Sequence, residues 1–167
     1  YEEIMYEGYG PHGVALLFEA LTDNRNRSLS DIRRLMTRAN GNMAEAGAVS
    51  WQFHRKGYCL VRGATMEQVF EPAVEAGADD VLDADGEIEV ITPPDALHAV
   101  TVRLREAGLD VAEATLRMDP TLRIELSPGD SLQVLKLVDA LEELDDLQNV
   151  YHNLELTDEA LAALEEV

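Results

Sequence analysis

Cysteine occurs once in this chain, at Cys59. No internal disulfide can form, and no Cys-x-x-Cys motif exists for zinc or redox chemistry. Its setting, Tyr58-Cys59-Leu60-Val61, is apolar. That reads as a buried small hydrophobe in a reducing compartment. Aromatic residues make up only 5% of the chain against 46% hydrophobic residues, so the core is expected to be aliphatic. No apolar run approaches the ~18 residues that span a bilayer. No charged n-region with an apolar h-region opens the sequence. Membrane association and secretion are therefore not expected, and the compartment is read as cytoplasmic, or mitochondrial in a eukaryotic relative. The chain opens at Tyr1 without methionine, as a processed or partial polypeptide does.

Positive charge is also scarce. Thirteen Lys and Arg stand against 33 Asp and Glu, a net charge of −20. Attraction of nucleic acid to the chain as a whole is excluded, because phosphates are repelled. The positive charge present is gathered, however. Residues 25–63 hold eight of the thirteen basic residues, Arg25, Arg27, Arg33, Arg34, Arg38, Arg55, Lys56 and Arg62, with only two acids, Asp31 and Glu45. That window carries +6 and the remainder −26.

With 167 residues, the chain suits one sizeable domain or two small ones. Helix starts are legible. Ser28 with Asp31 has the capping-box spacing, as does Thr65 with Gln68. Ser127-Pro128-Gly129-Asp130 and Thr92-Pro93-Pro94-Asp95 add proline at the first helical position. Gly41, Gly77 and Gly108 follow helical patterns, where a left-handed cap suits glycine. Helices are expected at 28–40, 66–76, 93–107 and 128–144, with a short one from 158. Strands are expected at 3–9, 14–21, 49–53, 58–62, 80–82, 87–91, 111–118, 122–126 and 148–156. Asp85-Gly86 marks a hairpin.

Residues 56–118 therefore read β-α-β-β-α-β, the ferredoxin-like order. Glu75-Ala76-Gly77-Ala78-Asp79 and Glu106-Ala107-Gly108-Leu109-Asp110 echo one another at equivalent helix-to-strand joints. Neither flank closes a core alone. The expected fold is α+β with two domains: a discontinuous one, 1–55 plus 119–167, and a ferredoxin-like one, 56–118, inserted in it.

Catalytic and cofactor motifs are weak. Gly8-Tyr9-Gly10-Pro11-His12-Gly13 matches G-x-G-x-x-G, but Pro11 stiffens it and no β-α-β unit with an acid ~20 residues on follows. A glycine-rich hairpin turn is the better reading. The four histidines show no i, i+4 pair and no thiol partner. Ser50 lacks a nucleophile elbow. No enzyme activity, cofactor, metal or small-molecule substrate is expected.

The basic window is more informative. Leu29, Ile32, Leu35, Met36 and Ala39 form one apolar stripe, with Arg34 and Arg38 one turn apart on the opposite side and Arg33 near them. Arg25 and Arg27 are placed in the preceding loop, and His54-Arg55-Lys56 adds charge at the domain junction. Guanidinium groups suit phosphate. One reading is a nucleic-acid-contacting face of Arg25, Arg27, Arg33, Arg34, Arg38, Arg55 and Lys56. The others are internal ion pairing against the acidic remainder and docking to an acidic protein.

Several blocks together resemble one family. Tyr6-Glu7-Gly8-Tyr9-Gly10-Pro11-His12-Gly13-Val14-Ala15, Thr22-Asp23-Asn24-Arg25-Asn26-Arg27, Gly47-Ala48-Val49-Ser50-Trp51-Gln52-Phe53, Glu75–Asp80 and Leu147–Asn153 resemble, in order, the blocks of the YebC-type family of gene-expression regulators. The resemblance implies a three-domain protein with an inserted α+β domain. Family members open with a basic helical domain that nothing here matches, so the likeness covers the second and third domains. It implies a transcriptional regulator that binds DNA, or a translation factor on the ribosome that contacts ribosomal RNA. The alternative is a protein–protein adaptor using acidic α+β domains, with nucleic-acid binding confined to that other domain.

Overall fold

The computed structural model describes residues 1–166. The fold is α+β, and the chain divides into two compact units, Tyr1–Phe53 with Pro120–Val167, and His54–Asp119.

In the first unit, β1 (Glu2–Tyr9) and β2 (Ala15–Thr22) pair antiparallel, Glu7 opposite Leu17. The short β3 (Asn42–Ala44) joins the outer edge of β1 and β8 (Leu147–His152) joins β2, giving the order β3-β1-β2-β8. The glycine-rich segment is a turn: Pro11–Gly13 makes one 3-10 turn, with His12 and Gly13 at positive φ, and β2 follows. No helix opens after it, so it offers no phosphate cradle.

One face of this sheet is covered by α1 (Arg25–Arg38) and α4 (Pro128–Glu142). Leu16, Phe18 and Ala20 meet Ile32 and Met36 of α1 and Val134, Val138 and Leu141 of α4 in a core that is almost entirely aliphatic. Side chains alternate across a strand. Gly8 therefore shares the α1 side, where an added Cβ would meet Met36 Cε at 2.8 Å, and Glu7 and Leu17 point to the other. Ser127 caps α4 by accepting from the Asp130 N–H, and Thr157 caps α5 (Asp158–Glu165).

The second unit is ferredoxin-like. β4 (Phe53–Arg62), α2 (Met66–Glu75), β5 (Asp80–Ala84), β6 (Glu87–Thr92), α3 (Leu97–Glu106) and β7 (Asp110–Pro120) form a sheet in the order β5-β6-β4-β7. Val69 and Ala73 of α2 and Val100 and Leu104 of α3 pack on Cys59, Val61, Ile88 and Val90. The Thr65–Gln68 capping box forms, and Asp85 and Gly86 both take positive φ in the hairpin, as a type I′ turn requires. Cys59 is fully buried, 3.4 Å from Thr101 Oγ1, and burial raises its thiol pKa.

Four local expectations are corrected. The helix read as 28–40 begins at Arg25, capped by Asn24 rather than Ser28. Trp51 lies in a 3-10 turn, Ser50–Gln52, not in a strand. Thr92 is buried and donates to the Pro93 carbonyl, so it caps nothing; a 3-10 turn at Pro94–Ala96 leads into α3. Residues 122–126 contribute a single bridge, Ile124 to Leu154, instead of a strand.

Candidate nucleic-acid interface

The block Thr22–Arg27 is a lock. Asn24 Oδ1 accepts the Arg27 N–H at 3.0 Å and starts α1. Ser28, buried in the first turn, donates from Oγ to Asp146 Oδ2 at 2.6 Å. Arg27 grips the same carboxylate, Nη2 to Oδ1 at 3.0 Å, and also donates to Asp23 Oδ1 at 2.7 Å. The Ser28 hydrogen bond, followed by the hydrogen bond and charge of Arg27, outweighs burial and holds the Asp146 pKa below its ordinary 3.8. These contacts bind the start of α1 to the turn before β8. The loop position expected for Arg25 and Arg27 is thus overturned: both stand in the first helical turn.

A cavity of about 530 Å³ opens beside this lock, lined by Asp23, Asp31, Glu143, Asp145 and Asp146, with Arg27 the one basic side chain among the described lining residues. Five carboxylates around one engaged guanidinium repel a phosphate, so this end of the helix is no anion site.

The outer face of α1 differs. Arg33 and Arg38 are exposed and form no ion pair among the described residues. Arg34 reaches Asp31 only at 3.8 Å and Arg25 reaches Glu2 at 3.5 Å, all four groups open to water. Exposed pairs of this kind hold a cation weakly. Arg38 also stands in the last turn, where the helix carbonyls favour positive charge. Arg55 and Lys56 belong to the second unit, on β4. Arg55 is exposed without an ion pair among the described residues, and Lys56 is paired with Asp79 at 3.1 Å. Of the seven basic residues read from the sequence, the fold brings five onto α1 and commits one of those, Arg27, to structural work.

Composition and spacing did not reveal a second feature. The Glu7 carboxylate accepts three backbone N–H groups, from Gly47 at 2.6 Å, Val49 at 2.9 Å and Ser50 at 2.7 Å. Burial opposes its charge, but these donors win and lower its pKa. Because Glu7 points away from α1, the segment it holds lies over the opposite sheet face. Val49 is buried there, while Trp51 projects, 72% exposed. An acid inside a glycine-rich block was the available signal. Among the described residues no group of three or more His, Cys, Asp or Glu side chains is placed to hold a metal, and no helix is long and apolar enough to cross a membrane.

Fold and surface together define a two-domain α+β protein with one cationic helix, in which Asp146 holds the Thr22–Arg27 block and Glu7 the Gly47–Phe53 block. A family profile described as TACO1/YebC second and third domain matches residues 1–154, and the chain belongs to that family. A probable transcriptional regulatory protein of Geobacter sp. (strain M21) is 45% identical over 162 residues, covering 96% of this chain and 66% of that protein. Another, from Idiomarina loihiensis, is 47% identical over 167 residues, covering 99% of this chain and 67% of that protein. A solved structure, a conserved hypothetical protein of Aquifex aeolicus, superposes with a TM-score of 0.86 at 38% identity, covering 94% of this chain and 66% of that one. The chain thus spans about two thirds of the length of the curated relatives it matches.

Proposed function

We propose that this protein is a non-enzymatic regulator of gene expression that engages nucleic acid, DNA or ribosomal RNA, through the outer face of α1. Arg33 and Arg38 are the principal contacts, and Arg34 and Arg25 assist. The observation that carries this reading is the pair of unpartnered guanidinium groups on one helix of a chain with a net charge of −20. Among the described residues seven of the thirteen basic side chains reach a carboxylate, and of the six that do not, these two stand together on one helix. The naming of the relatives as transcriptional regulatory proteins supports the regulatory class. A strongly negative body with one positive helix suits docking within a ribonucleoprotein assembly, where contact is local. It suits tracking along duplex DNA less well.

The test is Arg33→Glu with Arg38→Glu in the intact protein, assayed by gel shift on duplex DNA and by co-sedimentation with ribosomes. Binding in one of the two assays is expected to fall at least tenfold. A double Arg→Gln variant should reduce the slope of log K against log salt by about 2, since each phosphate contact contributes about 0.9. Unchanged affinity and slope in both assays would overturn the reading. The adaptor reading draws on the carboxylates of the 143–146 turn, which would attract a basic protein. Its mark in the same experiment is binding that survives both the substitutions and nuclease.

A further inference from the structure

Helix α2 is apolar on two sides. Val69 and Ala73 face the core of the second unit. Phe70 and Val74 each follow one residue later, about 100° further round the helix, and stand 52% and 46% exposed. Being four residues apart, they adjoin on one face. Glu67 and Glu71 flank them there as exposed carboxylates. On the other flank Glu75 reaches Arg103 of α3 at 3.6 Å. The Phe70 side is thus turned away from α3 and toward β5, the outer strand of the sheet, on which α2 packs.

The charge around this face is of one sign. Residues 63–102 hold ten acids and no Lys or Arg. Three cations from outside that stretch, Lys56, Arg62 and Arg103, pair with Asp79, Glu87 and Glu75. Glu67 and Glu71 on α2, and Asp80, Asp83 and Asp85 on the β5–β6 hairpin, are exposed and form no ion pair among the described residues. Asp80 and Asp83 accept backbone N–H groups, from Val81 at 2.9 Å and Gly86 at 3.1 Å, which leaves their charge unneutralised.

This setting decides what can cover the apolar pair. Nucleic acid, an anionic membrane and the same face of a second copy all bring negative charge into a negative field. A wholly apolar pocket would strip water from Glu67 and Glu71 and give them no counter-ion. A segment with an apolar side chain for Phe70 and Val74, and Lys or Arg on both sides of it, satisfies the ring and the carboxylates together. Complementary potential of this kind also speeds encounter and rejects wrong partners.

We infer that the outer face of α2 is the docking surface for a basic segment of a partner protein, its apolar side chain seated on Phe70 and Val74 and its cations held by Glu67 and Glu71. The surface belongs to the inserted unit and is independent of the nucleic-acid reading, which rests on α1.

The experiment places a photo-crosslinking benzoylphenylalanine at Val74 in the full-length protein within its own cells. Any segment of the protein's own chain that covers α2 is then caught as an internal crosslink. The expected result is one discrete adduct that resists nuclease and is digested by protease. Mass spectrometry of the adduct should find Lys or Arg on both sides of an apolar residue in the captured segment. The yield should fall at least fivefold with Phe70→Ser, and equally with Glu67→Lys and Glu71→Lys together, while circular dichroism stays unchanged. It should persist in the Arg33→Glu, Arg38→Glu background, which separates this surface from the α1 face. With the captured partner purified, rising salt should weaken its binding to the unsubstituted protein and affect the doubly charge-reversed variant much less. A nuclease-sensitive adduct, one of twice the protein's mass, an internal crosslink, a captured segment without basic residues, a yield indifferent to either substitution, or no adduct overturns the inference.

Discussion

Ser28 Oγ lies 2.6 Å from Asp146 Oδ2, a hydrogen bond spanning 118 residues of sequence. It joins the residue just after one family-like block, Thr22–Arg27, to the residue just before another, Leu147–Asn153, on either side of the inserted unit in sequence, so the discontinuous domain is closed partly by this contact. The Asp146 pKa is lowered, so its contribution to stability is fully present above about pH 4 and is lost as pH falls through the folded value. Asp146→Asn should cost about 1–2 kcal/mol at pH 7, the scale of hydrogen bonds to a partly exposed charged group. It should also flatten the acid limb below pH 4. Urea midpoints at pH 7 and pH 3 check both.

His152 supplies a second pH effect in a different window. Its Nδ1 accepts the Leu154 N–H at 3.0 Å, which requires the neutral ring. Burial, and then the charge of Arg123, push its pKa down to about 4 from 6.5. The unfolded chain therefore binds a proton that the folded chain refuses between pH 6.5 and 4. Stability should fall as pH drops across that range, by at most about 3 kcal/mol. His152→Gln should flatten this slope in pH-dependent denaturation while leaving the acid limb of Asp146 in place.

At the end of α1 the left-handed position belongs to Asn40, at φ 63, not to Gly41. Gly41 is required for another reason: a Cβ there would sit 2.6 Å from the Tyr9 carbonyl oxygen, which belongs to a paired strand. Gly41→Ala should therefore destabilise by about 2 kcal/mol or more. Asn40→Gly should change stability by no more than about 1 kcal/mol. The opposite ranking in a thermal melt would contradict this placement.

Glu7→Ala strands three N–H donors around a buried carboxylate site. Loss of at least about 2 kcal/mol is expected, since each unsatisfied buried donor costs about 1–3 kcal/mol and some regain water. The same change should loosen residues 47–52. Lower steady-state fluorescence anisotropy of Trp51 in the folded variant is the direct readout, and an unchanged value would show that the turn is held by other contacts.

Much of the fold was legible because it rests on local chemistry. Ser127, Thr65 and Thr157 cap helices through hydroxyls placed three residues before the N–H they accept. Asp85-Gly86 turns a hairpin through its own φ preferences. The stripe of Ile32, Leu35 and Met36 faces the core as its spacing demands. The misread places are those where a distant group overrides local preference. Ser28 looks like a cap, but Asp146 draws its hydroxyl inward. Residues 49–53 alternate like a strand, but Glu7 gathers their N–H groups into a turn. Arg27 looks like its neighbours, but two carboxylates claim it.

The order of residues alone determined the α+β class, the ferredoxin-like order of the inserted unit, the gathering of cations between residues 25 and 63, and the kinship. These depend on short-range periodicity, capping and composition. Tertiary structure alone decided which arginines stay free, which acid anchors a turn and which aromatic ring faces water. Each of those outcomes depends on a carboxylate or strand brought from tens of residues away, and pairing at that distance leaves no mark in local sequence.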